Sequence, residues 1–139
     1  MAFHQSKPLR FGDCDLTGIA YHPAYFSMLV DVNEAMFASF GVTWKELMFD
    51  RKIGLPSVTM NIEFKRPSTY GDVLDFAVHV RAIGRASLDL ETIVTVRGDV
   101  IWTIKQRIVA TSLENHKSHP WPDDVRAGLT TYLEPPHEP

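Results

Sequence analysis

Arg10-Phe-Gly-Asp-Cys-Asp15-Leu-Thr-Gly18-Ile-Ala-Tyr-His22-Pro23 leads straight into Ala24-Tyr-Phe-Ser-Met-Leu-Val30-Asp-Val-Asn-Glu-Ala-Met-Phe-Ala-Ser-Phe40. The second half is apolar on nearly every side of a helix, and such a helix belongs in a core with other structure packed around it. Its polar exception is a stripe of Ser27, Asp31 and Glu34 at i, i+4, i+7 spacing, which must meet water, a subunit boundary or a polar pocket. Proline suits the first helical position, so the helix is expected to start at Pro23 with His22 at its mouth. Gly41 is placed to end it in a left-handed turn. Two acids and a histidine thus share a glycine-punctuated loop, facing the free N–H groups and positive dipole end of the first helical turn.

Outward from this stretch, residues Phe3 to Phe11 read as a first strand whose Pro8 suggests a sheet edge. After the long helix, Thr43 and Glu46 form a capping-box pattern for a second helix running to about Arg51. The pattern then changes period. Val58-Thr-Met60-Asn-Ile62-Glu-Phe64-Lys65 alternates apolar with polar residues, predicting a strand with one core face and one wet face. Val73 to Ile83 places Leu74, Phe76, Val78 and Val80 on one face and Asp75 and His79 on the other. Gly84-Arg85 connects it tightly to Leu88–Val96, and Gly98-Asp99 turns the chain into Val100–Thr111. Strands joined by turns this short are antiparallel neighbours. One long apolar helix with about five antiparallel strands predicts an α+β domain in which the sheet curls around the helix. A sheet of that kind leaves an edge for a second subunit. Pro122-Asp123-Asp124 opens a last helix to about Tyr132. Residues 1–134 read as a single domain, and Pro135-Pro-His-Glu-Pro139 as a disordered tail.

At 139 residues with 45% apolar and 22% charged side chains, the chain suits one globular domain. No uncharged apolar run is long enough for a bilayer span, and the first seven residues hold no apolar stretch of signal-peptide length. A cytoplasmic protein without a membrane partner is expected. The net charge of −3 supplies no global basic field, which argues against nucleic acid as a partner. One cysteine excludes an intrachain disulfide and a multi-cysteine zinc site. The histidines show no metal-binding spacing beyond His116 and His119, and there is no Walker loop or G-x-S-x-G elbow. Neither metal nor cofactor is expected.

On residue chemistry alone, Asp15 reads first as a turn or capping residue bonding nearby backbone and only second as a reactive carboxylate. Asp13 reads as a turn or surface acid. His22 is a helix-cap histidine or a functional one. Cys14 competes as a nucleophile, but its carboxylate neighbours disfavour the thiolate. Lys65, Arg66, Arg81 and Arg85 are candidates for binding phosphate, against the reading of a solvated face.

The run Phe11-Gly12-Asp13-Cys14-Asp15, then Gly18-Ile19, Tyr21-His22-Pro23 and Tyr25 fits the pattern D-x-x-G-x-x-x-[YH]-x-x-Y. It resembles the signature loop of hotdog-fold acyl-CoA thioesterases of the 4-hydroxybenzoyl-CoA thioesterase type, and the likeness runs from about Lys7 to about Ser112. The resemblance implies a hotdog fold and hydrolysis of an acyl-CoA by a homo-oligomer, a dimer or homotetramer. It makes Asp15 the nucleophile or general base and puts His22 beside the thioester, with helix N-terminal amides of His22, Ala24 or Tyr25 polarising the carbonyl. The family's basic residues near the turn Gly84–Ser87 make Arg85 and Ser87 the first choices for coenzyme A, with Lys65 and Arg66 after them. Phe26, Met28 and Met60 become candidate liners of an acyl pocket. Where some members carry a tyrosine four residues before the acid, this chain has Phe11. Aromatic and short-chain acyl groups both stay open, as do two rival readings, a hotdog hydratase or dehydratase and a non-catalytic acyl-CoA or acyl-carrier binding module.

Overall fold

A computed structural model describes residues 1–134. The expected tail lies outside the described residues. Five antiparallel strands form the main sheet in the order β1-β4-β5-β6-β3, made of β1 (Phe3–Pro8), β3 (Ser57–Phe64), β4 (Val73–Ile83), β5 (Ser87–Val96) and β6 (Asp99–Val109). β2 (Ile53–Gly54) and β7 (Thr111–Ser112) pair in a small second sheet. The helices are α1 (His22–Ser39), α2 (Trp44–Phe49) and α3 (Asp123–Thr130). No helix is long and apolar enough to cross a membrane among the described residues.

Strand alternation decides what faces α1. Leu74, Phe76, Val78 and Val80 of β4, Leu88, Leu90 and Val94 of β5, and Trp102, Ile104 and Ile108 of β6 are all buried. The register stacks them side by side, Phe76 against Val94 and Val94 against Trp102. Against this face lie Tyr25, Met28, Leu29, Val32, Met36 and Phe37 of α1, while Ser27, Asp31 and Glu34 are exposed as their stripe predicts. Between β5 and β6, Arg97 and Gly98 both take positive φ, 49° and 85°, a turn whose twist matches that of the strands it joins.

Three local expectations shift. β1 stops at Pro8, which lacks the N–H to continue a ladder; the Asp13 carboxylate then accepts the Arg10 N–H at 2.9 Å and winds Phe11–Asp13 into a 3-10 turn. α1 starts one residue early, at His22, because Tyr21 caps it and accepts the Ala24 N–H at 2.8 Å; Pro23 falls inside the first turn. The larger correction concerns β3. Its apolar residues do not form a core face: Val58, Met60 and Phe64 are 54%, 42% and 45% exposed. β3 is the sheet's edge, paired only with β6, and its apolar face is left open. Among the liner candidates, Met28 is a core residue and Met60 sits on this open edge.

Arg51 clamps α2 to α3. Its guanidinium donates to both Asp124 carboxylate oxygens, at 2.8 and 2.7 Å, and to Glu46 at 2.7 Å. The Arg51 bonds hold the Asp124 carboxyl below the ordinary carboxylate range. A carboxyl with a depressed folded pKa stabilises the fold above its unfolded value, about 3.9, and loses that contribution as pH falls through the lower folded value. Asp124→Asn is therefore expected to cost up to about 1 kcal/mol at pH 7, the pair being partly solvent-screened. In urea melts across pH the difference from wild type should shrink as pH falls below the ordinary aspartate value of about 3.9 and close once the folded carboxyl is protonated. A difference that persists there would assign the effect to packing.

Candidate active site

The acid loop is a tight turn. The Asp15 N–H donates to the Ile19 carbonyl at 2.9 Å, the Gly18 N–H donates back to the Asp15 carbonyl at 3.1 Å, and Cys14 bridges Ala20. Gly18, at φ 80°, supplies the left-handed backbone this closure needs. The turn lies on residues 68–70 like a short extra strand. Ala20 donates to the Ser68 carbonyl at 2.9 Å, Ile19 bridges Thr69, and Tyr70 donates to the Gly18 carbonyl at 3.0 Å.

Asp15 itself is exposed. One carboxylate oxygen accepts the Thr17 N–H at 2.8 Å and the Thr17 hydroxyl at 2.5 Å. These bonds, the hydroxyl's first, hold its pKa below the ordinary value, so the group is ionised at neutral pH. The Ile19 N–H adds a weaker bond to the same carboxylate. The carboxylate faces a concavity of about 700 Å³ lined by Phe11, Cys14, Leu16, Thr17, Tyr21 and Tyr70. Phe11 and Tyr70 meet edge to face across its rim, centroids 5.9 Å apart.

At the helix mouth the Ala24 amide is taken by Tyr21. The Tyr25 N–H, fourth in α1, points along the helix at the Tyr21 carbonyl, and the His22 N–H donates to no protein group among the described residues. It is the amide free to meet a developing oxyanion. The His22 ring stacks on Phe64 of β3, centroids 4.0 Å apart and 3° from parallel. Beneath them Tyr25 stacks on buried Trp102 at 4.8 Å, and the Tyr25 hydroxyl is hydrogen-bonded to that of Ser68.

The structure brings some of the sequence-predicted residues together and separates others. Asp15, His22, Lys65 and Arg66 occupy the end of the sheet where β4 begins. No hydrogen bond joins Asp15 to His22, whose ring turns toward β3. Lys65 pairs with Glu63 at 2.7 Å and Arg66 with Asp99 at 3.4 Å. Arg85 and Ser87 lie at the opposite end, the length of β4 away, about 30 Å at the usual strand rise. The Arg85 guanidinium pairs with nothing among the described residues, while its carbonyl accepts the Trp121 N–H at 2.9 Å. A second concavity, of about 420 Å³ on the outer face of the sheet, is lined by the pairs Arg81–Glu91 and Arg107–Asp89 together with Lys105. Sequence reasoning missed Thr17, Tyr70, Phe64 and Ser68. Only Thr17 left a local signal, a hydroxyl two residues after an aspartate in turn spacing.

Cys14 is half-buried in the same loop. Burial, followed by the charges of Asp13 and Asp15, raises its thiol pKa. It is expected to alkylate several-fold more slowly than free cysteine at pH 8, and Cys14→Ser to change hydrolytic turnover by less than about threefold, since a mostly protonated thiol is a poor nucleophile. Fast alkylation that abolished turnover would reverse the ranking of Cys14 and Asp15.

A long helix gripped by an antiparallel sheet, with an acid-bearing loop feeding the helix mouth, is the hotdog arrangement. The chain belongs to the Thioesterase-like superfamily, whose family profile matches residues 9–129. It is 33% identical over 87 residues to a 1,4-dihydroxy-2-naphthoyl-CoA hydrolase of Synechococcus elongatus, covering 61% of this chain and 64% of that one. Against a 4-hydroxybenzoyl-CoA thioesterase of a Pseudomonas species it is 32% identical over 81 residues, 57% of each chain. The solved structure of a gentisyl-coenzyme A thioesterase superposes with a TM-score of 0.78 at 26% identity, over 93% of this chain and 99% of that one. The aligned stretches thus span less than two thirds of the two curated relatives' lengths.

Proposed function

We propose that this protein is a cytoplasmic acyl-CoA thioesterase acting on a small aromatic acyl group. The observation that carries the reading is the Asp15 carboxylate, ionised and exposed, in an aromatic-lined concavity beside a helix mouth where the His22 amide is free. The names of the relatives favour the aromatic class: dihydroxynaphthoyl-, hydroxybenzoyl- and gentisyl-CoA are the substrates they carry. Asp15 either attacks the thioester carbonyl, forming an acyl-aspartyl anhydride that water then opens, or draws a proton from the water that attacks. In both routes the His22 amide holds the oxyanion. The C–S bond breaks, CoA leaves as thiolate and takes up a proton, and His22 is the nearby group suited to supply it.

The working unit we propose is a homo-oligomer built through β3. Antiparallel pairing of two β3 edges across a two-fold axis would cover Val58, Met60 and Phe64. It would also bring the partner's β4–β5 turn, with Arg85 and Ser87, to the end that holds Asp15. Arg85, unpaired in one chain, then meets the CoA phosphates, and Arg85→Ala should raise KM more than Lys65→Ala or Arg66→Ala, whose charges already have partners.

The test is thiol release from a panel of aromatic and aliphatic acyl-CoAs, with sedimentation to count subunits. Release that is fastest with aromatic members supports the reading. Binding without release would make the protein an acyl-CoA binding module, and a hydrated acyl chain with its thioester intact would make it a hydratase.

A further inference from the structure

Tyr25 spans the two halves of the proposed site. Its hydroxyl and that of Ser68 are bonded to each other in the interior, with both residues almost wholly buried. The Tyr25 hydroxyl is also bonded by the Ser68 N–H, so both of its ties lead to Ser68. Ser68 opens the segment that carries the acid loop, its carbonyl holding Ala20 and its neighbours Thr69 and Tyr70 holding Ile19 and Gly18. The other ties of that segment lead elsewhere: Thr69 donates to Asp72 at 2.9 Å, and Gly71 to the Leu9 carbonyl at 3.1 Å, toward the edge strand β1. The Tyr25–Ser68 bond is what fastens the segment to α1. At its other end Tyr25 sits in the first turn of α1, which carries the open His22 amide.

We propose that Tyr25, acting through Ser68, is a positioning residue that sets the spacing between the Asp15 carboxylate and the helix-mouth amide of His22. This rests on the reading of those groups as the two sides of the site. The acid and the amide ride on different elements, a loop laid on residues 68–70 and the start of α1. A slip of one against the other by about 1 Å misaligns attack and oxyanion together, a displacement that costs up to a hundredfold in rate. The phenyl ring of Tyr25, stacked on Trp102, fixes the helix side and the hydroxyl fixes the loop side.

The test compares the full-length wild type with Tyr25→Phe, which keeps the stacked ring, Ser68→Ala and the double variant. Three quantities are followed: kcat and KM for the best acyl-CoA, melting temperature, and amide exchange of residues 13–22 against β4–β6. Each single variant should lose roughly tenfold to a hundredfold in kcat with KM within about twofold, while the loop exchanges faster and the sheet does not. The double variant should be no slower than the worse single, because Tyr25→Phe already removes every bond that Ser68→Ala removes, and should melt no lower than Tyr25→Phe, because the serine hydroxyl is no longer stranded. Singles that keep kcat, a double that recovers kcat together with its melting temperature, or loop exchange unchanged by Tyr25→Phe would each overturn the proposal. If wild type releases no thiol from any acyl-CoA, the hydrolase reading fails. The exchange comparison still decides whether the hydroxyl pair holds the acid loop.

Discussion

Asp15→Asn is expected to lower kcat for an aromatic acyl-CoA by about a thousandfold, a loss of about 4 kcal/mol of barrier lowering, with the melting temperature nearly unchanged. Asparagine keeps the shape, and its carbonyl oxygen keeps the two bonds from Thr17, so the turn stays closed. It lacks the charge that makes the second oxygen a nucleophile or base. Because Asp15 is exposed, its replacement strands no buried partner. Thiol release by both forms, with a thermal melt of each, separates chemistry from folding. Retention of more than about a tenth of wild-type turnover would remove Asp15 from the mechanism. The pH profile is a second check. The Thr17 bonds lower the Asp15 pKa, so the reactive ionised form persists as pH falls below the ordinary aspartate value of about 3.9. From pH 8 to 5, kcat/KM should therefore show no acid limb due to Asp15. A limb near pH 6 would point to a histidine.

Trp102→Ala should be the most destabilising substitution at the site end of the sheet, costing about 3–5 kcal/mol, as large aromatic-to-alanine changes in cores do. Trp102 is fully buried on β6 and touches aromatics from three elements: Tyr25 and Phe26 of α1, Phe64 of β3 and Phe76 of β4. Phe76 meets it at 90° and Tyr25 at 14°, the edge-to-face and stacked geometries that aromatic quadrupoles favour. For a chain of this length the loss corresponds to a fall in melting temperature of about 10–15 °C. Trp102→Phe should cost less than half as much, since the indole N–H is buried without a partner and its removal relieves a desolvation cost. Equal losses from Ala and Phe would mean that the indole N–H has a partner, such as a buried water, worth as much as the ring.

The amino-acid sequence by itself determined the order and type of the main elements. Period is a local property: strict alternation from Val73 to Val80 can only face one way in a sheet, and an all-round apolar α1 can only be a core helix. Turn chemistry was legible for the same reason, as at Gly41 and Gly98, where the backbone sign is written into one residue. Resemblance to a known signature loop, carried by the D-x-x-G-x-x-x-H-x-x-Y run, singled out Asp15 and His22. Only the tertiary structure decided what those residues meet. That β3, alternating as cleanly as β4, leaves its apolar face open follows from its place at the sheet edge, which is a matter of strand order and not of composition. The hydroxyl pair Tyr25–Ser68, 43 residues apart, and the stack of His22 on Phe64 come from chain segments that no local pattern relates. The same topology put Arg85 and Ser87 at the far end of the sheet from Asp15. Sequence patterns report which face a side chain takes; which partner waits on that face depends on contacts closed across the whole fold.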